Sequence, residues 1–151
     1  RSSGRYLMLN DIMDAVTRRL DELFGEGYEI YADAVKQGLK EPCFFVQLLE
    51  PSEKKVTGQR YYRKTGLCIQ YFPRSTKEIL RELNQVNDIL MDGMEHITLA
   101  DGSLLRGTGM SARPDMEQRV LSFFVSYNMF LLKPKEQEDT MDDIVVKGVS
   151  G

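Results

Sequence analysis

The side chains that could carry out catalysis or bind a metal are few and widely separated in this sequence. His96 is the only histidine, and Cys43 and Cys68 are the only cysteines, among 151 residues. A serine or cysteine nucleophile needs a base such as histidine, but His96 opens a short strand-like segment with no flanking catalytic motif. One histidine and two separated cysteines also cannot supply the usual four zinc ligands. We therefore predict that the protein is not an enzyme, that it holds no metal or other cofactor, and that both cysteines pack as small apolar side chains.

Two further patterns that can indicate catalysis favour a structural role here. The segment Gly107-Thr108-Gly109 resembles part of a phosphate-binding loop, but the Lys-Ser/Thr ending and the following helix are missing. A bulge in a strand is therefore the prediction. The acidic pairs Asp11/Asp14 and Asp142/Asp143 fall on a wet helix face and in a polar terminal segment, whereas general acid–base catalysis needs two carboxyl groups in one cleft.

One charged cluster stands out from a chain whose formal net charge is only -3. Basic residues are interleaved with tyrosines in a short stretch that comprises Lys54, Lys55, Arg60, Tyr61, Tyr62, Arg63 and Lys64. Cations beside aromatic rings suit contact with nucleic acid or with an acidic protein surface. The alternative is a solvated hairpin whose charges prevent edge-to-edge pairing with other sheets.

Hydrophobic periodicity predicts the elements that precede this cluster. Apolar residues recur at helical spacing from Asn10 to Phe24, with Asn10 as the expected N-cap and Gly25 as the end of the helix. The segment Tyr28–Val35 alternates as a strand does. Cys43–Leu49 is a nearly continuous apolar run, whose length and aromatic content favour a central strand.

The basic cluster itself is predicted to lie on a long hairpin. Arg60–Phe72 returns as a strand after a polar stretch, so we interpret Phe44–Phe72 as one antiparallel hairpin whose tip lies near Thr57-Gly58. Pro51 must then occupy an edge or a bulge, because proline cannot donate to the ladder of backbone hydrogen bonds.

A second helix and three strands complete the predicted domain. Ser75 and Glu78 match a capping box, and Gly93 is expected to end a helix whose apolar stripe is Ile79, Leu83, Val86 and Leu90. Three further strands, joined first by the Asp101-Gly102 turn, are predicted as a meander at His96–Leu99, Leu104–Met110 and Arg119–Leu132.

These elements predict one α+β domain over residues 8–133. Its architecture is a mainly antiparallel twisted sheet with a long projecting hairpin and two helices packed on one face. We interpret residues 1–7 as a cloning remnant or a disordered N-terminus, and 134–151 as a flexible C-terminal tail. Within that tail, the apolar residues Ile144, Val145 and Val146 could instead dock on a neighbouring subunit as an added strand. No apolar run approaches the roughly 20 residues that cross a bilayer, so no membrane partner is predicted.

Five segments share the layout of one known family. They are Ile12–Val16, Pro42–Val46, Arg60–Arg63, Ile69–Pro73 and Val120–Tyr127. In these segments the chain resembles small tail-completion proteins of tailed phages and prophages of Gram-positive bacteria, of the tail terminator kind. The resemblance covers residues 8–133, nearly the whole predicted domain.

The resemblance implies an assembly role without catalysis or a cofactor. It implies a homo-oligomeric ring, usually a hexamer, that caps the tail tube, stops its polymerisation and offers the surface that joins the head. The implied partners are further copies of the chain, the tail-tube protein and head–tail connector proteins. The implied location is the host cytoplasm during assembly and then the virion tail or a prophage-derived tail particle. Another connector or neck ring protein, or a small nucleic-acid-binding module that uses the basic hairpin, are the alternatives, and direct DNA contact stays open.

Overall fold

The computed structural model describes residues 8–32 and 38–134. Within those ranges the helices are α1 (Leu9–Phe24) and α2 (Ile79–Gly93). The strands are β1 (Glu29–Tyr31), β2 (Cys43–Leu48), β3 (Ser52–Thr57), β4 (Arg60–Lys64), β5 (Gly66–Phe72), β6 (His96–Thr98), β7 (Leu104–Asp115), β8 (Val120–Tyr127) and β9 (Met129–Leu132). The predictions for residues 1–7, for the second half of the Tyr28–Val35 strand and for Ile144, Val145 and Val146 lie outside the described residues.

The strands form two sheets of different size. A six-stranded sheet has the order β1-β2-β5-β8-β7-β6, and a three-stranded sheet has the order β3-β4-β9. The neighbouring strands are antiparallel, except that β1 runs parallel to β2. The α+β class and the mainly antiparallel sheet are therefore confirmed, and the predicted meander is β6, β7 and β8.

The predicted long hairpin is present, but it spans both sheets. Its lower arms are β2 and β5, paired from Cys43↔Phe72 to Leu48↔Leu67. Its upper arms are β3 and β4, paired from Ser52↔Lys64 towards the tip. Pro51 lies immediately before β3, at the break between the two ladders, where the absence of its N–H interrupts no strand pairing.

The last predicted strand, Arg119–Leu132, is wrong as a single element because it divides at Asn128. Its first part, β8, pairs with β5 in the large sheet, and its second part, β9, pairs with β4 in the small one. The Asn128 side-chain oxygen accepts the backbone N–H of Thr65 at 3.3 Å. An asparagine side chain that replaces a ladder acceptor lets the backbone leave the regular pairing, so both strands change sheets at the same level.

One hydrophobic core lies between the two helices and one face of the large sheet. Helix α1 contributes Ile12, Ala15, Val16 and Leu20, and α2 contributes Leu83, Val86 and Leu90. The apolar stripe predicted for α2 is thus confirmed at its three buried positions. The helices approach closely at Gly93, where an added Cβ would lie 2.5 Å from a methyl carbon of Leu23, so a larger residue there would require the Leu23 side chain to move.

The predicted N-caps of both helices need correction. Asn10 is inside α1, and the backbone N–H of Met8 instead donates to the carboxylate of Asp11 at 2.9 Å. Helix α2 starts at Ile79, after a turn in which the Ser75 hydroxyl accepts the N–H of Glu78 at 2.9 Å. The serine half of the predicted capping box therefore holds. The acidic half is wrong, because the carboxylate that returns to the Ser75 N–H is not that of Glu78.

Glu82 supplies that carboxylate and ties the start of α2 to the sheet. It accepts the backbone N–H groups of Arg74 and Ser75, each at 2.7 Å, and the hydroxyl of Tyr71 on β5 at 2.5 Å. Burial raises the pKa of the Glu82 carboxyl, but these three hydrogen bonds outweigh burial and leave its pKa below the usual value. The ionised carboxylate is consequently the form that the fold stabilises.

Two substitutions test the buried face of α2. Leu83→Ala should lower the free energy of unfolding by about 2–5 kcal/mol, because it leaves a cavity in the core. Ser75→Ala removes only the turn acceptor and should cost about 1 kcal/mol. Urea denaturation of both variants measures the difference, and a larger loss for Ser75→Ala would contradict this packing.

A third substitution tests Glu82, and its control is Glu78→Gln at the exposed residue immediately before α2. Glu82→Gln keeps the shape but loses one acceptor oxygen, and should cost about 1–3 kcal/mol at neutral pH. Because the pKa of Glu82 is lowered by folding, its stabilisation is present above the unfolded-state pKa and is lost as the pH falls through the folded-state pKa. The stability gap between wild type and Glu82→Gln should therefore close in acid. A gap that stays constant with pH, or an equal loss for Glu78→Gln, would exclude this role.

Candidate assembly surface

The predicted basic cluster lies on the three-stranded sheet β3-β4-β9, which we call the ribbon. Neighbouring residues in a strand point to opposite faces, so the ribbon divides the cluster. One row across its three strands is Lys54, Tyr62 and Phe130, and the next row is Glu53, Arg63 and Met129. We call the face with Lys54 the outer face and the face with Glu53 the inner face.

The inner face is held by a shared carboxylate. Glu53 on β3 accepts two hydrogen bonds from the Arg63 guanidinium on β4, at 2.8 and 3.0 Å. Its other oxygen accepts the Lys133 ammonium, immediately after β9, at 2.5 Å. The Arg63 side chain is only 11% exposed, and Leu131 on the same face is buried. One carboxylate thus links all three strands.

The environment of Glu53 favours its charged form. The hydrogen bond from Lys133 has the largest effect and lowers the pKa of the Glu53 carboxyl. Burial raises this pKa by the next largest effect, and Arg63 lowers it again, so that the pKa stays below its usual value. Lys133 also lies 4.3 Å from the centre of the Tyr61 ring. Arg63 and Tyr61, two members of the predicted cluster, therefore make contacts within the ribbon.

The outer face combines exposed apolar side chains with cations. Phe130 is 62% exposed and Leu132 is 72% exposed. The centres of the Phe130 and Tyr62 rings lie 5.0 Å apart. The guanidinium carbon of Arg60 lies 5.7 Å from the centre of the Phe130 ring. Within the described parts of the chain, no carboxylate forms an ion pair with Lys54, Arg60 or Lys64. Exposed apolar groups surrounded by cations are typical of interaction surfaces.

Phe130 and Leu132 were not among the predicted site residues. The sequence Met129-Phe130-Leu131-Leu132 is apolar throughout, so its two faces cannot be distinguished by composition. Only the pairing of β9 with β4 shows that Leu131 is buried and that Phe130 and Leu132 join the basic residues. The one polar residue between Tyr127 and Met129, Asn128, was the available sign in the sequence that the strand divides there.

A second surface is the face of the large sheet that lies opposite the helices. In three adjacent strands of this sheet, β2, β5 and β8, every residue on this face is uncharged. The set is Cys43, Phe45, Gln47, Gly66, Cys68, Gln70, Phe72, Val120, Ser122, Phe124 and Ser126. The flanking strands add charges to this face, namely Glu29 on β1 and Arg113 and Asp115 on β7, and the Arg113 guanidinium carbon lies 5.9 Å from the centre of the Phe124 ring. The uncharged strip between these charges is suited to close packing against another surface, since no charge there has to lose its water.

The residues that could have done chemistry have structural positions. His96 is exposed on β6, across from Arg106. Both cysteines are buried free thiols; burial, with Glu41 and Glu29 nearby, raises the pKa of Cys43 to about 11. The predicted bulge at Gly107-Thr108-Gly109 is confirmed, because the β7–β8 register shifts between Thr108 and Ser111.

A groove beside α2 offers little for catalysis. It has a volume of about 570 Å³ and lies beside α2, next to Tyr71 and Glu82. Both of these side chains are engaged in the hydrogen bonds that start α2. Within the described ranges, no group of three acidic, histidine or cysteine side chains could hold a metal ion. No helix there is long and apolar enough to cross a membrane.

The shared carboxylate can be tested directly. In Glu53→Gln, Arg63 and Lys133 lose the ionised Glu53 carboxylate that links the three strands, so the ribbon should open more often than in wild type. We expect backbone amide exchange in β3 and β4 to become about tenfold faster, equivalent to roughly 1.4 kcal/mol. Lys55→Gln on the same strand is the control and should leave the exchange unchanged. Unchanged exchange in Glu53→Gln would contradict the role of this carboxylate.

Comparisons with known proteins agree with this architecture. A family model described as phage tail terminator protein matches residues 11–139. Among solved structures, the chain is similar in fold to the cryo-EM structure of the sheath/tube terminator of an extracellular contractile injection system, PVC, in its extended state. The TM-score is 0.52 at 13% sequence identity, over 97% of this chain and 68% of that one. No curated protein matches the sequence. The family match spans most of the chain, and the chain therefore belongs to the phage tail terminator family.

Proposed function

We propose that this protein caps the end of a phage tail tube, stops tube polymerisation there and provides the surface that the head joins. The observation that carries the proposal is the outer face of the ribbon, in a chain of the tail terminator family. Phe130 and Leu132 supply apolar contact area, while Lys54 and Arg60 supply orientation and a faster encounter with an acidic partner.

Two unlike surfaces suit a terminator. A tube grows because each layer presents a surface that fits the next, so a cap must match the last layer on one side and differ on the other. The basic, aromatic outer face of the ribbon differs from the face of the large sheet opposite the helices, so contacts between copies and contacts with the tube need not use the same surface. In our proposal copies of the chain form a ring, with a hexamer as the expected state, through repeated contacts between unlike surfaces.

The remaining elements of the proposal concern partners, place and chemistry. The tail-tube protein would contact one side of the ring and head–tail connector proteins the other. Assembly would take place in the host cytoplasm, and the product would be part of the virion tail. The role requires binding energy alone, so we propose no enzymatic activity and no cofactor.

One alternative uses the same outer face for DNA. Lys54, Arg60 and Lys64 could contact phosphates, while Tyr62 and Phe130 could stack on bases. Such binding would weaken steeply as the salt concentration rises. Another ring protein of the neck would share the fold, and would act at the connector without setting tube length.

Electron microscopy of tails made with a double charge reversal tests the proposal. Lys54→Glu with Arg60→Glu should leave the fold intact, because both side chains are exposed. Tails should then vary in length. Arg63 is unsuitable for this test because it is bound to Glu53 inside the ribbon. The matched control is Lys77→Glu with Arg81→Glu, two exposed cations near the start of α2, which should give normal tails.

The same variants separate the alternatives. Uniform tails joined to heads in the ribbon variant would contradict the proposed function. Uniform tails together with lost, salt-sensitive DNA binding would assign the outer face to DNA. Tails of normal length that lack heads would assign the chain to a neck role.

A further inference from the structure

The outer face of the ribbon presents cations and apolar side chains in a fixed arrangement. Successive rows across its strands carry Lys64, then Lys54 with Tyr62 and Phe130, and then Arg60 with Leu132. A ligand that matches this face therefore needs several carboxylates and a short apolar segment, close together on one flexible chain.

The sequence after the ribbon has that composition. Residues 135–143 contain five carboxylates, namely Glu136, Glu138, Asp139, Asp142 and Asp143, and Ile144-Val145-Val146 follows directly. We propose that the outer face binds this acidic segment, residues 136–146, from a neighbouring copy of the chain. The inference rests on the proposed ring, and it identifies the contact that joins one copy to the next.

The place where the chain leaves the ribbon favours a neighbouring copy. The backbone N–H of Lys133 donates to the Gln59 carbonyl at 2.9 Å, and the Gln59 amide donates back to the Lys133 carbonyl at 2.9 Å. The chain thus departs from the hairpin tip, at the end of the ribbon remote from the large sheet. From Pro134, the ten residues to Ile144 can span up to about 35 Å, whereas the five residues of β4 span about 17 Å.

A contact with a neighbour also needs no reversal of the chain. Within one copy, Ile144 would have to return to Leu132, which the chain has just left, and the segment would have to fold back along its own ribbon. In a closed ring each segment meets the next copy's face, so that every outer face is covered by the same contact. The arrangement would be held by apolar burial at Phe130 and Leu132, with charge pairs that weaken as salt rises.

The first test measures binding of a labelled synthetic peptide of residues 135–151 to the full-length chain by fluorescence anisotropy. The face variant carries Lys54→Glu, Arg60→Glu and Lys64→Glu, and should bind the peptide at least about tenfold more weakly than wild type. A peptide with Glu138→Lys, Asp139→Lys and Asp142→Lys should bind the face variant more tightly than it binds wild type. Such binding would also show that the face variant is folded, because an unfolded chain has no outer face. The Lys77→Glu, Arg81→Glu variant should bind like wild type. Failure of the wild-type chain to bind, or equal binding by the face variant, would overturn the proposal.

The second test distinguishes binding of the acidic segment to its own copy from binding to a neighbouring copy. Sedimentation of full-length chains at matched concentration measures their association. The face variant alone, and a chain with the three reversals in residues 138–142 alone, should each associate less than wild type. Mixing the two should restore assembly, because each acidic segment then meets a basic face and each basic segment an acidic face. A wild-type chain that stays monomeric at concentrations where the peptide binds, or a mixture that fails to recover, would assign the segment to its own copy and overturn the contact between neighbours. Neither test uses tail tubes, so their failure would leave the tail-length result, and with it the terminator function, standing.

Discussion

The fold depends on one constraint. Two neighbouring stretches of chain, β4–β5 and β8–β9, both pass from the large sheet into the ribbon at the same position along the strands. Gly66 and Ser126 are still partners in that sheet, whereas Arg63 and Met129 are partners in the ribbon. The change is possible because the Thr65 N–H finds a substitute acceptor in the Asn128 side chain, at 3.3 Å, while the Thr65 carbonyl accepts the N–H of Tyr127 at 2.8 Å. Backbone groups at a fully buried position such as Thr65 need such partners. Without this break β4 and β9 would extend the large sheet, and no separate ribbon would exist.

The ribbon in turn decides which charges are available for partners. On its inner face Arg63 and Lys133 form ion pairs with Glu53, so those cations stabilise the three strands. Its outer face leaves Lys54, Arg60 and Lys64 beside the exposed side chains of Phe130 and Leu132 and the half-buried ring of Tyr62. A chain with a mild net negative charge thereby obtains one local cationic surface, supported by the core that anchors the large sheet.

Periodicity predicted the parts of the fold where burial decides the structure. The stripe of α2, the strands β2 and β5 and the Phe44–Phe72 hairpin followed from it, since a buried face repeats regularly along the chain. Local side-chain choices were less predictable. Asn10 and Glu78 are residue types that suit helix caps, but Asp11 and Glu82 supply the carboxylates. The path of the chain just before each helix decides which carboxylate its backbone N–H groups can reach. The two faces of the ribbon could not be predicted, since the roles of Arg63 and Phe130 depend on the register of strands far apart in sequence. For the acidic segment after residue 134 the sequence gives composition alone.

The central claim is that the outer face of the ribbon becomes covered when the protein assembles on a tail. Chemical labelling of lysines, measured by mass spectrometry on the free chain and on purified tails, tests it most directly. Lys54 and Lys64 lie on the outer face, and Lys77 lies near the start of α2. Lys54 and Lys64 should lose reactivity in assembled tails, while Lys77 should keep it. Equal reactivity of Lys54 and Lys64 in the free chain and in the tail would show that the outer face stays uncovered.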